Sequence, residues 1–277
     1  MNDPLREAAE RLRAAGFDSA RAEARILSEH AQTLPAVFEQ LVQRRLLHEP
    51  IAYITGRKEF WSLDFAVGPG TLIPRPETET LIGEALREMP DRGVGYRVLD
   101  LGTGSACLLV ALLKEFPGAT GVGLDSSELA LSWARRNAKQ HALEGRCELI
   151  RGDWDAAVGA FDLIVCNPPY IATAELASLM PDIRDYEPLA ALDGGPDGLD
   201  AYRMIGSLLL RHLSPAGAAL LEIGAGQHQV VASIVEAQDL HIARAAKDLA
   251  GIARCLVIRR KRDESPEKGV GKPAGTG

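Results

Sequence analysis

The sequence lacks the cysteine and histidine spacings that mark disulfide frameworks and zinc sites. Its four cysteines form no CxxC pair, and its six histidines form no HxxxH or HExxH pair. The cysteines are Cys107, Cys147, Cys166 and Cys255. Three of them lie in or beside apolar segments, where a thiol packs as a small hydrophobic group. We therefore expect reduced cysteines and no metal site.

The sequence also lacks a long apolar run and an excess of basic residues. No stretch approaches the roughly 20 apolar residues that a membrane span requires, and the N-terminal segment has no apolar signal-peptide core. The formal net charge of −7 argues against a protein that mainly binds nucleic-acid phosphates. We therefore expect a cytoplasmic protein with no membrane contact and no stable nucleic-acid binding. We also expect a monomer.

The pattern of apolar residues divides the chain into parts. Residues 1–59 carry apolar side chains at spacings of three and four, which predicts a small helical domain. From Phe60 the pattern alternates and includes the turn signal "GPG", so residues 60–95 are predicted to form a β-hairpin and a linker helix. Residues 96–260 repeat strand, loop and helix, and the Gly, Pro and Lys-rich residues 261–277 are expected to be disordered.

The repeating part predicts an α/β fold with a mostly parallel, doubly wound sheet, because its strands are nearly continuous apolar runs. The last two strands, "HIARAAK" and "RCLVIRR", are separated only by residues 248–253. A parallel crossover needs about a dozen residues, so the last strand is predicted to run antiparallel. This arrangement differs from the dinucleotide-binding fold. It is similar to the Rossmann-like sheet of S-adenosylmethionine (SAM)-dependent methyltransferases.

Three polar segments follow predicted strands and should meet at the carboxyl edge of the sheet. "LDLGTGSAC" ends one strand and opens a helix, so its glycines allow a ligand to approach free N–H groups, although a tight turn without ligand has the same pattern. Asp125 ends the next strand, where it can bind ribose hydroxyls or cap a helix. Asp153 and Trp154 follow the third strand and suit an adenine ring, but a tryptophan there also fits plain packing.

The segment "NPPY", residues 167–170, follows the apolar run "FDLIVC". Pro168 restricts Asn167 to extended backbone angles, and neither proline has an N–H to donate. The Asn167 side-chain oxygen and a neighbouring carbonyl, that of Pro168, are therefore placed to accept both hydrogens of a substrate –NH₂ group. Tyr170 can stack on the planar group that carries this nitrogen. The alternative is a purely structural Pro-Pro loop.

Several motifs together resemble one family, the peptide chain release factor glutamine N5-methyltransferases (the PrmC/HemK family). The likeness runs to about Arg260. The matching segments are "AYITGRKEFW", "LIPRPETE", "VLDLGTGSA", "NPPYI", "YEPLAAL", "DGLDAYR", "LEIGAGQ" and "DLAG". "NPPY" alone marks amino-methylating enzymes in general, whereas "LIPRPETE" with "YEP" and "DGLDAYR" is much more specific.

The resemblance implies methyl transfer from SAM to the glutamine side chain of the GGQ motif in release factors. The implied SAM contacts are Gly102, Thr103, Gly104, Ser105, Ala106, Asp125, Trp154 and Asn167. The implied substrate contacts are Asn167, Pro168, Pro169 and Tyr170, with Asn167, Pro168 and Tyr170 as the catalytic set. The N-terminal helical domain is expected to help hold the protein substrate. Ala106 stands where the family usually has glycine, and its methyl group is expected to face the cofactor.

Two other functions compete with this one. An adenine-N6 nucleic-acid methyltransferase would share "NPPY", but it needs a basic track for phosphates, which the acidic net charge disfavours. A cofactor-binding module without catalysis would gain nothing from two acceptors aimed at an amine. Arg75 and Glu187 each lie in a family motif, yet an ion pair explains them as well as catalysis does.

Overall fold

A computed structural model describes residues 3–32 and 34–261, so the predicted disordered tail lies, except for Lys261, outside the described residues. The N-terminal part is helical, as predicted. Its helices are α1 (Pro4–Ala14), α2 (Ala20–His30), α3 (Pro35–Leu46) and α4 (Ile51–Thr55). Asp3 caps α1 by accepting a hydrogen bond from the N–H of Leu5, and Pro4 occupies the first turn. Leu12, Leu27 and Val42 are fully buried between these helices.

A β-hairpin follows the helices. Its strands are β1 (Arg57–Phe60) and β2 (Leu63–Ala66). The predicted hairpin is present, but its predicted turn is wrong. Phe60 pairs with Leu63, so the turn is Trp61–Ser62 and not the later "GPG", and the hairpin begins at Arg57 before the boundary expected at residue 60.

The turn was missed because its residues carry no turn signal. Trp61 and Ser62 both have positive φ, 51° and 57°, a conformation that two-residue hairpins usually give to Asn-Gly or Gly-Gly. Contacts outside the hairpin hold it there. The backbone N–H of Trp61 donates to Glu79 at 2.8 Å, and its indole N–H donates to Glu115 at 2.7 Å. Tertiary contacts therefore override the local preference.

The rest of the chain alternates strands and helices. The strands are β3 (Arg97–Leu101), β4 (Thr120–Asp125), β5 (Cys147–Arg151), β6 (Phe161–Cys166), β7 (Leu213–Glu222), β8 (Leu240–Lys247) and β9 (Ala253–Arg260). The helices are α5 (Glu79–Glu88), α6 (Cys107–Glu115), α7 (Glu128–Gln140), α8 (Pro181–Arg184), α9 (Asp200–His212) and α10 (His228–Glu236). Short 3₁₀ helices span Pro76–Thr78, Thr173–Ser178 and Leu189–Ala191.

These strands form one seven-stranded sheet in the order β5-β4-β3-β6-β7-β9-β8. All pairs from β5 to β7 are parallel, and β9 is antiparallel to both β7 and β8. The predicted α/β class and antiparallel last strand are confirmed. The last strand is inserted between β7 and β8, so β8 forms the edge.

Each face of the sheet carries its own hydrophobic core. On one face α5, α6 and α7 pack on the sheet through buried residues such as Leu81, Leu109 and Ala134. On the other face α9 and α10 pack through Tyr202, Ile205 and Val231. From β3 the chain adds β4 and β5 on one side, and then returns to add β6 and β7 on the other side. In α/β sheets, ligands bind in the crevice that this change of direction opens at the carboxyl edge.

No helix within the described residues is long and apolar enough to cross a membrane.

Candidate active site

A cavity of about 460 Å³ lies at the carboxyl edge of the sheet, beside the ends of β3 and β6. Loops that follow β3, β4, β5 and β6 line it, together with parts of residues 70–72 and 188–204. It brings together seven of the residues that the sequence placed at this edge: Gly102, Gly104, Asp125, Asp153, Trp154, Asn167 and Pro169. The sheet topology, and not any local contact, creates this convergence.

The glycine loop after β3 alternates between the cavity and the core. Gly102 and Gly104 have positive φ, 70° and 55°, and both line the cavity. Thr103 and Ser105 are buried and do not line it. Thr103 turns inward, where its hydroxyl donates to the Asp100 carboxyl at 2.6 Å. Side chains from every second residue of the loop therefore support it from behind.

The backbone N–H groups of this loop are mostly engaged, contrary to the expectation that they point freely outward. Gly102 and Thr103 both donate to the carbonyl of Leu124 at 2.9 Å, and Ala106 donates to Thr103 at 2.7 Å. Gly104 donates to the Asp125 carboxylate at 2.9 Å. The loop is thereby fastened to the end of β4, which fixes its shape.

Ala106 has positive φ, 61°, and stands at the N-terminal cap of α6. It is fully buried, belongs to the core on the α5, α6 and α7 face, and does not line the cavity. The expectation that its methyl group faces the cofactor is therefore wrong. Because Cβ crowds the backbone in this conformation, a non-glycine residue here costs roughly 1–2 kcal/mol.

The Asp125 carboxylate joins the glycine loop to the next helix. One oxygen accepts from Gly104 and the other accepts from the N–H of Ser127 at 2.8 Å. Ser127, not Asp125, is the N-cap of α7, and its hydroxyl accepts from Ala130 at 3.2 Å. Ser127 therefore takes the capping role that the sequence also allowed for Asp125, and Asp125 lies at the cavity wall.

Trp154 lies against the glycine loop at the cavity wall. Its ring comes within 3.3 Å of the point that a Cβ on Gly102 would occupy, so any larger residue at 102 would meet the indole. The ring is half-buried and packs against the core on the α9 and α10 face. Trp154 therefore both packs in the core and lines the cavity, so the two interpretations of this residue do not exclude each other.

Asn167 follows β6 and is half-buried at the cavity wall. Its side-chain N–H₂ donates to the hydroxyl of Thr78 at 3.2 Å. Thr78 is buried and ends the 3₁₀ helix within the "PRPETE" segment. With its N–H₂ directed at Thr78, Asn167 has its side-chain oxygen left as an acceptor for a ligand.

Pro168 and Tyr170 do not line the cavity, although Pro169 between them does. Tyr170 packs against the core on the α9 and α10 face, and burial raises the pKa of its phenol to about 12. Its backbone carbonyl accepts from the Gln227 side chain at 3.0 Å. The same Gln227 amide accepts from Gly224 at 2.9 Å and from the Tyr202 hydroxyl at 3.2 Å. Gln227, which belongs to the "LEIGAGQ" segment, therefore holds the "NPPY" loop in place through the Tyr170 carbonyl.

A search of known proteins finds relatives over most of this chain. A family model described as "Methyltransferase small domain" matches residues 81–181. The release factor glutamine methyltransferase of Rhodospirillum rubrum is 43% identical over 269 residues, which cover 91% of this chain and 82% of its own. The one of Cereibacter sphaeroides is 43% identical over 275 residues, covering 93% of this chain and 97% of its own.

This chain belongs to the release factor glutamine methyltransferase family.

The predicted resemblance and the enzyme class, a SAM-dependent methyltransferase, are confirmed with it. A solved structure described as a methyltransferase from Pyrococcus furiosus aligns with a TM-score of 0.53 at 21% identity and covers 78% of this chain and 95% of its own. At that identity the likeness concerns the fold. It agrees with the sheet described above.

The cavity of this methyltransferase fits a SAM molecule. It offers an aromatic ring in Trp154, a carboxylate in Asp125 and exposed backbone at two glycines, which suit an adenine, a ribose and a closely approaching chain. A buried hydroxyl at its wall, that of Thr71, has no hydrogen-bond partner among the described residues. The described residues contain no group of three or more His, Cys, Asp or Glu side chains that would hold a metal ion.

Glu222 is a buried carboxyl that sequence reasoning missed. It ends β7, is 1% exposed, and one of its oxygens has no partner within the described part of the chain. Burial raises the pKa of Glu222 to about 7, and the Thr78 hydroxyl opposes that rise. Thr78 thus lies between Asn167 and Glu222. Both Thr78 and Glu222 occur in motifs that matched the family, which was the only available signal.

Arg75 and Glu187 form an ion pair between the "LIPRPETE" and "YEP" segments. Glu187 also accepts from the N–H of Ile73 at 3.0 Å, and burial raises its pKa. Neither residue lines the cavity that holds Asn167. Both line a second cavity of about 620 Å³ beside α2, α3 and the hairpin. Of the two explanations for Arg75 and Glu187, catalysis or an ion pair, the ion pair accounts for their positions.

Proposed function

We propose that this methyltransferase transfers a methyl group from SAM to the side-chain amide nitrogen, N5, of the glutamine in the GGQ motif of peptide chain release factors. The observation that carries the proposal is the orientation of Asn167. With its N–H₂ bound to Thr78, its oxygen is left to accept a hydrogen from the substrate amide. Relatives that match nearly the whole chain are named release factor glutamine methyltransferase, which supports the glutamine as the acceptor.

The residues of "NPPY" act by holding the substrate nitrogen. We propose that the Asn167 oxygen and the Pro168 carbonyl accept its two hydrogens. Tyr170, which packs against the core behind the cavity lining, is proposed to bound the planar amide where the glutamine enters from outside the cavity. Both hydrogens are then held from one side, which favours a pyramidal nitrogen with its lone pair directed away from the acceptors. Positioning of this kind supplies up to roughly 7 to 11 kcal/mol in ideal systems. A neutral Asn167 also avoids an unpaired buried charge.

When bound, SAM would supply a methyl group carried on a positively charged sulfur. The transfer would form a bond between the amide nitrogen and the methyl carbon, break the bond between that carbon and sulfur, release one amide proton and leave S-adenosylhomocysteine. Asn167 and Pro168 need not remove the proton before transfer, because the methylated nitrogen is acidic and loses it to water.

For the cofactor, we propose contacts from the loop Gly102–Ala106, from Asp125 and Trp154, and from Asn167. Gly102, Gly104, Asp125, Trp154 and Asn167 line the cavity, which supports direct contact. Thr103, Ser105 and Ala106 are buried behind it, so their proposed part is to shape the loop backbone.

For the protein substrate, we propose that residues 1–59 form a helical unit that helps to hold the release factor. Residues 60–95 connect it to the methyltransferase unit, residues 96–260. The second cavity supports this role, since helices of the N-terminal part and the hairpin both line it. We propose a monomer acting in the cytoplasm, where release factors act, without stable nucleic-acid binding.

Labelled SAM tests the proposal directly. Purified enzyme is given a release factor, the same factor with its GGQ glutamine replaced by alanine, and DNA, in parallel. We expect label on the natural release factor alone. Label on DNA and none on the release factor would establish the competing adenine-N6 activity. Equal labelling of both release factor forms would show that another residue is the acceptor.

A further inference from the structure

Thr71 carries a hydroxyl that the fold leaves without a partner. The residue is 1% exposed, and its Oγ1 atom finds no hydrogen bond among the residues that the structure describes. A buried hydroxyl without a hydrogen bond costs about 1–3 kcal/mol. Such a group in a native fold calls for an explanation, and a ligand is one.

The hydroxyl lies at the glycine loop. Thr71, together with Gly70 and Leu72, lines the same cavity as Asn167 and Asp125. Its Oγ1 is 3.5 Å from the point that a Cβ on Gly104 would occupy. A side chain at position 104 would therefore begin in van der Waals contact with this hydroxyl, which places the hydroxyl directly against the glycine loop.

Two hydrogen bonds hold the backbone of Thr71, and a third holds the nearby Pro69. Its carbonyl accepts a hydrogen bond of 2.5 Å from the hydroxyl of Tyr53, which is buried in α4. Its N–H donates to Gly68 at 3.3 Å, and the neighbouring Pro69 carbonyl accepts from the Trp133 indole at 3.2 Å. The threonine therefore cannot leave the cavity wall without breaking several contacts.

The carboxylate at the amino-acid end of SAM needs hydrogen-bond donors in this region. Adenine and ribose are assigned to Trp154 and Asp125, and the reacting centre is assigned to Asn167. The remaining part must pass the glycine loop, yet the N–H groups of Gly102, Thr103 and Gly104 are already engaged. A free hydroxyl beside Gly104 supplies a donor that the loop itself does not offer.

We propose that Thr71 is a further cofactor-contacting residue, whose hydroxyl donates a hydrogen bond to the carboxylate at the amino-acid end of SAM. The inference rests on SAM being the cofactor. It adds a contact from the segment between β2 and α5 to a site otherwise built from the ends of the parallel strands.

The test compares Thr71→Val, which keeps the shape and removes the hydroxyl, with Thr71→Ser, which keeps the hydroxyl. Dissociation constants are measured by calorimetry for S-adenosylhomocysteine and for 5′-methylthioadenosine, which lacks the amino-acid end. A hydrogen bond to a charged group corresponds to roughly tenfold or more in affinity. We expect Thr71→Val to lose about that factor for S-adenosylhomocysteine and to bind 5′-methylthioadenosine within about twofold of the natural protein. Thr71→Ser should bind both ligands nearly normally.

Thermal melting without ligand separates binding from folding. Removing an unsatisfied buried hydroxyl should leave the melting temperature of Thr71→Val equal to or above that of the natural protein. The proposal is overturned if Thr71→Val binds S-adenosylhomocysteine normally, or if it loses both ligands equally. Failure of the natural protein to bind S-adenosylhomocysteine would instead refute SAM as cofactor, and with it the proposed function.

Discussion

The side-chain amide of Asn167 donates a hydrogen bond to the Thr78 hydroxyl across 3.2 Å, joining the end of β6 to the short helix before α5. Thr78 in turn lies against the buried carboxyl of Glu222 at the end of β7. A residue proposed to hold the substrate is thus oriented by a residue far away in the sequence.

Replacing Thr78 by valine should lower kcat and leave SAM affinity nearly unchanged. Without the hydroxyl, the Asn167 N–H₂ group loses its hydrogen-bond partner, and the amide is no longer held in the orientation that directs its oxygen at the substrate. One neutral hydrogen bond contributes about 0.5–1.5 kcal/mol, so we expect a loss of roughly two- to tenfold in kcat. Thr78→Ser is the matched control and should retain most activity. Steady-state kinetics with a release factor and calorimetry with S-adenosylhomocysteine provide both measurements, and a loss confined to cofactor affinity would contradict the orienting role.

Replacing Asn167 by alanine should abolish most turnover while SAM affinity falls much less. The variant removes an acceptor for the substrate nitrogen, and losing one positioned polar group at a reacting centre commonly costs about a hundredfold or more in kcat. Single-turnover methylation at saturating SAM measures the chemical step. Unchanged turnover would remove Asn167 from the mechanism, and a parallel collapse of S-adenosylhomocysteine binding would make it a cofactor residue only.

The stability of the protein should depend on pH through Glu222. Burial raises its pKa to about 7 in the folded protein, above the value of about 4.3 in an unfolded chain. The protonated form therefore stabilises the fold fully below about pH 4, and this contribution is lost as pH rises through 7.

Glu222→Gln keeps a neutral side chain at every pH and isolates this effect. Its stability relative to the natural protein should increase from pH 5 to pH 8, by up to about 3 kcal/mol. Urea unfolding at several pH values measures the difference, with the exposed Glu236→Gln as the matched control. A difference that is constant over this range would show that Glu222 is already ionised in the fold.

Replacing Ala106 by glycine should leave SAM affinity within about twofold, because the methyl group packs in the core and not at the cavity. Glycine relieves the strain of positive φ, about 1–2 kcal/mol. It also loses a buried methyl worth about 0.8 kcal/mol and gains freedom in the unfolded chain. We expect the unfolding free energy to change by less than about 1 kcal/mol. A marked gain in S-adenosylhomocysteine affinity would show that the methyl group does obstruct the cofactor.

The sequence predicted the general architecture because apolar periodicity and connection length encode it. The few residues between β8 and β9 required an antiparallel last strand, and that prediction is confirmed. The insertion of β9 between β7 and β8 was not predicted, since the spacing of strands along the chain does not encode their order across the sheet. The Trp61–Ser62 turn was missed because Glu79 and Glu115, distant in sequence, stabilise it.

The site was predicted where a residue ends a strand, as Asp125 does, or directly follows one, as Asn167 does, because the carboxyl ends of parallel strands meet at one edge. Thr71 and Thr78 were missed because they lie between the hairpin and α5, where no periodicity relates them to the sheet. Glu222 was missed because it ends the apolar run "GAALLE" and resembles a residue reaching solvent. Burial and partners of such residues emerge only from the packed fold.

The hydrogen bond from Tyr53 to Thr71 limits which parts of related proteins can be exchanged with parts of this chain. Its donor belongs to the helical unit and its acceptor belongs to the wall of the cofactor cavity. Grafting the helical unit of a relative onto this chain therefore transplants part of the support of that wall. We expect a chimera to keep the shape of the cavity only when the relative that provides the helical unit also has a tyrosine at the position of Tyr53. The two units are thus not independent modules. The contact requires the tyrosine at position 53 but no particular side chain at position 71, because residue 71 contributes only its backbone carbonyl.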